Sequence, residues 1–303
     1  MSTQEQNFGE HLEAAVRTIA QTRGDGAENQ DNYCLIDGLG TAKFMLDHQD
    51  HFVSIDDWPN GHIRLAIMDG MGGHESGREV AEATAKQLSQ IPACYTVDTL
   101  SEALNSLHEQ LRVDFSGASK TPGCTLTLVE IPVNKPALLF HVGDSRLYHI
   151  DESSVEYLTI DHVPATRLLM NDQISTEEWH QRVHLETRFE ISQAFILGNN
   201  INKSHELDSS LLALSTDNLP EFLHPLEDRR VIPLSNSGLY LLGSDGLWCQ
   251  NDPQTFINGW PTLLNKPERS IQALVDDLLV DLIVKSDDDQ HQDNATAIIF
   301  RCK

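Results

Sequence analysis

Apolar residues fall along the chain in two kinds of run, which predict different elements. Short, nearly unbroken runs occur at 63–68, 123–131, 137–142, 146–150, 239–244 and 294–300. They are rich in Val, Ile, Leu and Phe and are bounded by Gly, Pro, Asp or Asn, so each is read as a strand. Stretches with apolar residues three and four apart predict helices. Val80, Ala81, Thr84, Ala85 and Leu88 share one face of a helix that Gly72-Gly73 opens and that runs to about Gln90. Leu100, Ala103, Leu104, Leu107 and Leu111 line a second helix from about Thr99 to Phe115, whose Thr99-x-x-Glu102 start has the pattern of a capping box. Ile271, Leu274, Val275, Leu278, Leu279, Leu282 and Ile283 line a third over about 268–285.

The strands 123–131, 137–142 and 146–150 follow one another across short turns, Pro132 to Pro136 and Gly143-Asp144-Ser145, and pair antiparallel. Ile19 and its neighbours form an edge strand. The polar stretch 37–62 reads as a long hairpin connection. The region 162–235 is polar and mixed, with a helix from Ser175-x-x-Glu178 through Phe189, and reads as an irregular flap over one rim of the sheets. Strands and helices in this order predict an α+β protein, with no internal repeat and no low-complexity linker.

Charge narrows the functional classes. With 46 acidic against 21 basic residues the net charge is −25, and the pI is near 4.7. Such a surface repels phosphate backbones and anionic membranes, so neither nucleic acid nor membrane is an expected partner. No apolar run is long enough to span a bilayer, and the start lacks the features of a signal peptide. A cytoplasmic, monomeric protein is expected. The five cysteines, Cys34, Cys94, Cys124, Cys249 and Cys302, are scattered without Cys-x-x-Cys spacing, which fits thiols in a reducing compartment.

The candidate chemistry lies in five aspartates at the ends of apolar runs. Asp31 precedes Tyr33-Cys34-Leu35-Ile36, and Asp69 follows Ile63–Met68. Asp144 follows Leu138–Gly143, Asp245 follows Leu239–Ser244, and Asp293 precedes the last run. Carboxylates at strand ends converge at one rim of a sheet, where they repel unless a cation lies between them. The arrangement suggests a hard-metal site with oxygen ligands.

These residues also stand in motifs that resemble the metal-dependent protein phosphatases of type 2C. In chain order they are Asn29-Gln30-Asp31, Asp69-Gly70-Met71-Gly72-Gly73, Gly123-Cys124-Thr125, Gly143-Asp144-Ser145-Arg146, Leu158-Thr159-Ile160-Asp161-His162, Ser244-Asp245-Gly246-Leu247-Trp248 and Asp293-Asn294-Ala295-Thr296. The ordered set covers 29–296, and Gln30 and Met71 point to the bacterial branch.

The resemblance implies one domain over 1–303, built as two stacked antiparallel β-sheets flanked by helix pairs, with the flap at about 162–235. It implies hydrolysis of phosphoserine and phosphothreonine in proteins by a metal-activated water, with two Mn2+ or Mg2+ ions. By resemblance Asp69 bridges both ions, Asp245 and Asp293 complete the ligands of the first, and Asp31 with the Gly70 carbonyl holds the second. Asp144, with Asp245, forms a weaker third site. Asp69 and Asp245 are the residues on which catalysis depends. Phosphoproteins made by a bacterial Ser/Thr kinase are the implied substrates. Thr125 reads as a buried strand threonine, with support of the site as the alternative, Asp161 and His162 as structural, Arg146 as a partner for a carboxylate and Trp248 as core.

Two departures from the family pattern matter. Many members carry an arginine three residues before the asparagine of Asn-x-Asp, where it grips substrate phosphate; here Gly26 stands there. Arg23, three residues earlier, is the candidate replacement. Eukaryotic members often have histidine at the position of Met71, and methionine cannot donate a proton to a leaving group. The missing arginine favours a catalytically weak or inactive phosphoprotein-binding module on the same fold; the complete aspartate set opposes it. A cysteine-dependent phosphatase needs arginine six residues after the nucleophile. Gly40, Leu100, Glu130 and Thr255 hold those positions, and Cys302 has no room. No Gly-Lys-Ser/Thr is present, which excludes a P-loop.

Overall fold

The computed structural model describes residues 6–20, 28–71, 75–117, 122–186, 190–199, 201, 208–249, 252–285 and 293–303. Its elements begin with β1 (Leu12–Ile19), β2 (Asp31–Ile36), β3 (Thr41–Leu46), β4 (Gln49–Ser54), β5 (Ile63–Met71), α1 (Glu75–Leu88) and α2 (Val97–Asp114). Then come β6 (Gly123–Cys124), β7 (Leu126–Ile131), β8 (Ala137–Val142), β9 (Arg146–Ile150), β10 (Val155–Tyr157), α3 (Pro164–Met170) and α4 (Thr176–His180). The chain continues through β11 (Gln193–Ala194), β12 (Gly198–Asn199), β13 (Arg229–Ile232), β14 (Leu239–Gly243), α5 (Pro253–Asn258), α6 (Trp260–Leu264), α7 (Ile271–Lys285) and β15 (Ala295–Cys302). One sheet has the order β1-β15-β14-β9-β10; the other runs β13-β8-β7-β5-β2-β3-β4, with β6 joined to β5. Neighbours in both sheets are antiparallel.

The unbroken apolar runs have a simple cause. Central strands are covered on both faces, so alternate side chains enter different apolar layers instead of alternating between core and water. In β5, Ile63, Leu65 and Ile67 enter the layer between the sheets, while Ala66 and Met68 join the layer under α1 and α2. In β15, Ile298 and Phe300 face the first layer, and Ala295, Ala297 and Ile299 face the layer under α6 and α7. The result is four tiers, helix-sheet-sheet-helix. Residues of 160–223 form a separate small core around Ile160, Leu169, Trp179, Val183, Leu214 and Leu223.

Local departures from the expectations have physical reasons. The stretch 37–62 contains a hairpin, β3–β4, whose edge strand exposes Gln49, Asp50 and His51 and so carries no apolar run. The cap of α2 is Thr96, whose side chain accepts the Thr99 N–H, so the box pattern at Thr99 lies inside the first turn. Thr125 interrupts the run 123–131 between β6 and β7. The helix expected from Ser175 to Phe189 is α4 followed by a wide turn over Gln181–Leu185; 187–189 lie outside the described residues. Within 162–235, Arg229–Ile232 is not part of an irregular flap but pairs with β8. Ile283 of α7 is 46% exposed and does not belong to its core stripe. The opening of α1 at Gly72-Gly73 lies outside the described residues.

One buried charge network locks the helical tier to a sheet. Arg64 and Glu130 face each other across β5 and β7, both fully buried, with Arg64 Nε 2.6 Å and Nη2 2.9 Å from the carboxylate. Nη1 and Nη2 donate to the carbonyls of Leu88, Ile91 and Pro92 and so cap the end of α1. His62 Nε2, 2.7 Å away, and the Cys94 N–H complete the shell of Glu130. Burial pushes the Glu130 carboxyl up, but Arg64 and these hydrogen bonds outweigh it and leave it below its ordinary value. Replacing Glu130 by Leu strands a buried guanidinium, and urea unfolding is expected to show a loss of about 3–5 kcal/mol. A loss below about 1 kcal/mol would mean that the pair does not secure α1.

Candidate active site

Sheet pairing brings the first two aspartates together. Asp31 opens β2, Asp69 lies near the end of β5, and the two are direct cross-strand partners. Asp69 is fixed by its other neighbour. Its N–H donates to Thr125 Oγ1 at 2.9 Å, and its carbonyl accepts the Thr125 N–H at 2.9 Å. Thr125 Oγ1 also meets Ser145 Oγ at 2.6 Å, which links Asp69 to the turn that carries Asp144. Thr125 is therefore more than a packed strand residue.

Asp31 joins the two sheets. Its Oδ2 accepts from Ser244 Oγ and Thr296 Oγ1, each at 2.7 Å. Ser244 and Thr296 are themselves paired, Ser244 N–H to the Thr296 carbonyl at 3.1 Å and Thr296 N–H to Ser244 Oγ at 2.9 Å. Asp31 Oδ1 is buried without a hydrogen-bond partner among the described residues.

Asp245 begins a tight turn after β14, and its carbonyl accepts the N–H groups of Trp248 and Cys249. The turn packs on the backbone before β15. A Cβ at Gly246 would stand 2.1 Å from the Asn294 carbonyl oxygen, so only glycine permits the approach. Asn294 ties the same place to β2, with its Oδ1 accepting the Gln30 N–H at 2.9 Å. Asp293, exposed, accepts the Asn294 N–H at 2.8 Å. Gly70 N–H donates to the Gln30 carbonyl at 3.2 Å.

Electrostatics confirm the convergence. Burial is the largest influence on Asp31, Asp69 and Asp245, and it raises all three carboxyls. Asp69 is raised further by the charges of Asp31, Asp245, Asp293 and Asp144. Asp245 is raised by those of Asp144, Asp293 and Asp31. Asp31 is pushed up to about 7, against the pull of the Ser244 and Thr296 hydroxyls. Among the described residues, the charges that act most strongly on Asp69 and Asp245 are thus other carboxylates.

Such a cluster needs protons or a cation as counter-charge. No described group of three or more His, Cys, Asp or Glu side chains is set to hold an ion by itself. Ions that take carboxylate, carbonyl and water oxygens and keep several waters suit this set. The partnerless Oδ1 atoms of Asp31 and Asp245 are oxygen donors of that kind. Burial pushes the Cys34 and Cys124 thiols up to about 12, so neither supplies a thiolate.

The remaining candidates divide. Arg146 pairs with a carboxylate, gripping Asp161 through Nε at 3.0 Å and Nη2 at 2.8 Å, with Trp248 beneath its guanidinium. Its Nη2 also donates to the Val183 carbonyl and so secures the flap. Arg23, Gly26, Gly72 and Gly73 lie outside the described residues. Ser244 and Thr296 are site residues that the sequence reading does not single out. Ser244 stands beside Asp245 and Thr296 three residues after Asp293 in their motifs, which was the available signal.

No family model matches the chain. Over 140 residues it is 27% identical to Protein phosphatase PhpP of Streptococcus pneumoniae serotype 2, covering 44% of this chain and 55% of that protein. It is 28% identical over 123 residues to Serine/threonine phosphatase stp of Listeria welshimeri serovar 6b, covering 38% of this chain and 49% of that protein. The chain spans about half the length of these relatives. The PPM Ser-Thr phosphatase MsPP from Mycobacterium smegmatis superposes with a TM-score of 0.64 at 23% identity, over 97% of this chain and 100% of that one. The catalytic domain of PstP, solved in complex with 2 manganese ions, superposes with a TM-score of 0.62 at 19% identity, over 96% of this chain and 98% of that one. The α+β sandwich is therefore the fold of these bacterial type 2C phosphatases, as the motifs implied. No described helix is long and apolar enough to cross a membrane.

The raised carboxyls set a pH dependence. An unfolded aspartate titrates near 4, whereas folded Asp31 holds its proton to about 7. Its stabilising contribution is complete below about pH 4 and is lost as pH rises through about 7, and Asp69 and Asp245 act in the same direction. The melting temperature of chelated protein is expected to fall between about pH 5 and pH 8, and Mn2+ to restore more at the higher pH. A melting temperature that rises over this window, or that ignores Mn2+, would contradict the assignment.

Proposed function

We propose that this chain is a divalent-metal-dependent phosphatase that hydrolyses phosphoserine and phosphothreonine in proteins. The observation that carries the reading is the packing of Asp31, Asp69 and Asp245 into one mutually repelling cluster at the joint of the two sheets. In this reading Asp69 would serve both of two Mn2+ or Mg2+ ions, Asp245 and Asp293 one of them, and Asp31 with the Gly70 carbonyl the other. Asp144, with Asp245, serves a weaker third. Such an ion pair supplies Lewis acidity, making water a better nucleophile and neutralising phosphoryl charge.

The protein's own part is orientation. Ser244 and Thr296 hold one oxygen of Asp31, which leaves Oδ1 for a ligand. Thr125 fixes the backbone on both sides of Asp69, so the bridging carboxylate is carried by a rigid strand. The complete set of five aspartates favours catalysis over a binding module. The substrates are proteins phosphorylated by a Ser/Thr kinase, and the names of the relatives support that class.

Hydrolysis of an aryl phosphate and of a phosphothreonine peptide, with Mn2+ and with chelator, tests the reading. Wild type is expected to turn over both only with metal. Asp245→Asn is expected to lose more than about 100-fold, beyond the loss typical of residues that merely support a ligand. Metal-independent turnover would remove the mechanism; bound Mn2+ without turnover would favour the binding module. Arg23 is the proposed grip on substrate phosphate, so Arg23→Ala is expected to raise the Michaelis constant several-fold with little change in kcat, since a lost bidentate guanidinium weakens binding. An unchanged constant excludes Arg23.

A further inference from the structure

His162 is a fully buried residue that the proposed chemistry does not use. Its Nδ1 receives two N–H groups, the Gly143 amide at 3.3 Å and the Gln193 side chain at 3.0 Å. Both groups are donors only, so Nδ1 carries no proton and the ring proton lies on Nε2. Nε2 lies 3.5 Å from Asp228 Oδ2 but makes no hydrogen bond among the described residues. The backbone repeats the link, with the His162 N–H donating to the Gly143 carbonyl at 2.8 Å.

Nδ1 is shared by two parts of the molecule. The flap approaches it from one side. Gln193 clasps both the carbonyl and the N–H of Leu212, Asp228 Oδ2 accepts the Leu214 N–H, and the Ser192 N–H donates to the His162 carbonyl. On the other side lies Gly143, at φ +107° and so close to Thr125 that a Cβ would stand 2.6 Å from its side chain. The next residue is Asp144. A ring that only filled space would not need its acceptor nitrogen aimed at this turn and at Gln193 together.

We propose that His162 is a positioning residue whose bare Nδ1 holds the Gly143 amide, sets the Asp144 turn and couples that turn to the flap through Gln193. The effect on metal use rests on the phosphatase reading; the hold on Gly143 does not.

Nitrogen-15 NMR of the full chain should find wild-type His162 bare at Nδ1 and protonated at Nε2; a proton on Nδ1 overturns the proposal. Amide hydrogen exchange and Mn2+ activation of aryl phosphate hydrolysis then compare His162→Leu with His162→Asn, which restores an acceptor near the Nδ1 position. His162→Leu is expected to speed exchange at Gly143 about ten-fold and to raise the Mn2+ needed for half-maximal activity by about ten-fold, with His162→Asn recovering most of both. A folded His162→Leu chain with wild-type exchange overturns it, as does His162→Asn no better than His162→Leu. Inactive wild-type protein with the expected exchange rates would refute the phosphatase reading and still support the hold on Gly143.

Discussion

Like charges cannot be gathered in a protein interior without a compensating charge, and the rim of this molecule gathers them. Asp31 and Asp69 are opposite one another in one sheet, and Asp245 comes from the other. Asp31 and Asp245 raise the carboxyl of Asp69, and Asp31 that of Asp245, after burial has raised all three. An apolar replacement would remove that repulsion at once, so the cluster makes physical sense only if something positive enters it. The four-tier architecture can be read as the support of that rim: strands buried on both faces end together, and their last side chains have few other directions to take.

Rigidity around the cluster comes from neutral groups. Hydroxyls of Ser244, Thr296 and Thr125 stabilise the carboxylates or their backbone without adding positive charge that would compete with a cation. The buried guanidinium groups among the described residues are used elsewhere. Arg64 secures α1 at the far end of β5, and Arg146 secures the flap through Asp161 and Val183. A chain with a net charge of −25 thus keeps its few buried guanidinium groups in structural pairs and leaves the acidic rim open to divalent ions.

The legible part of the molecule was the part built from local pattern. The aspartates stand at the ends of apolar runs because buried strands read as such runs, and α1, α2 and α7 announce themselves by apolar spacing. The β3–β4 hairpin was hidden because its outer strand is exposed and polar. The segment after Ser175 looked like one helix, but among its described residues only Trp179, Val183 and His184 turn inward, and the helix gives way to a wide turn after His180. The hydroxyl contacts to Asp31 span 213 and 265 residues of sequence, so no spacing rule could expose them. His162 was similarly hidden, since its role depends on which atoms face each nitrogen.

Central to this account is a divalent cation at the joint of Asp31, Asp69 and Asp245. Anomalous diffraction at the manganese edge, from crystals grown with Mn2+, measures it directly. The account predicts two strong peaks that share Asp69 as a common ligand, one also within about 2.2 Å of Asp245 and the other of Asp31. Manganese bound only elsewhere on the acidic surface, with the three carboxylates still clustered and protonated, would contradict it.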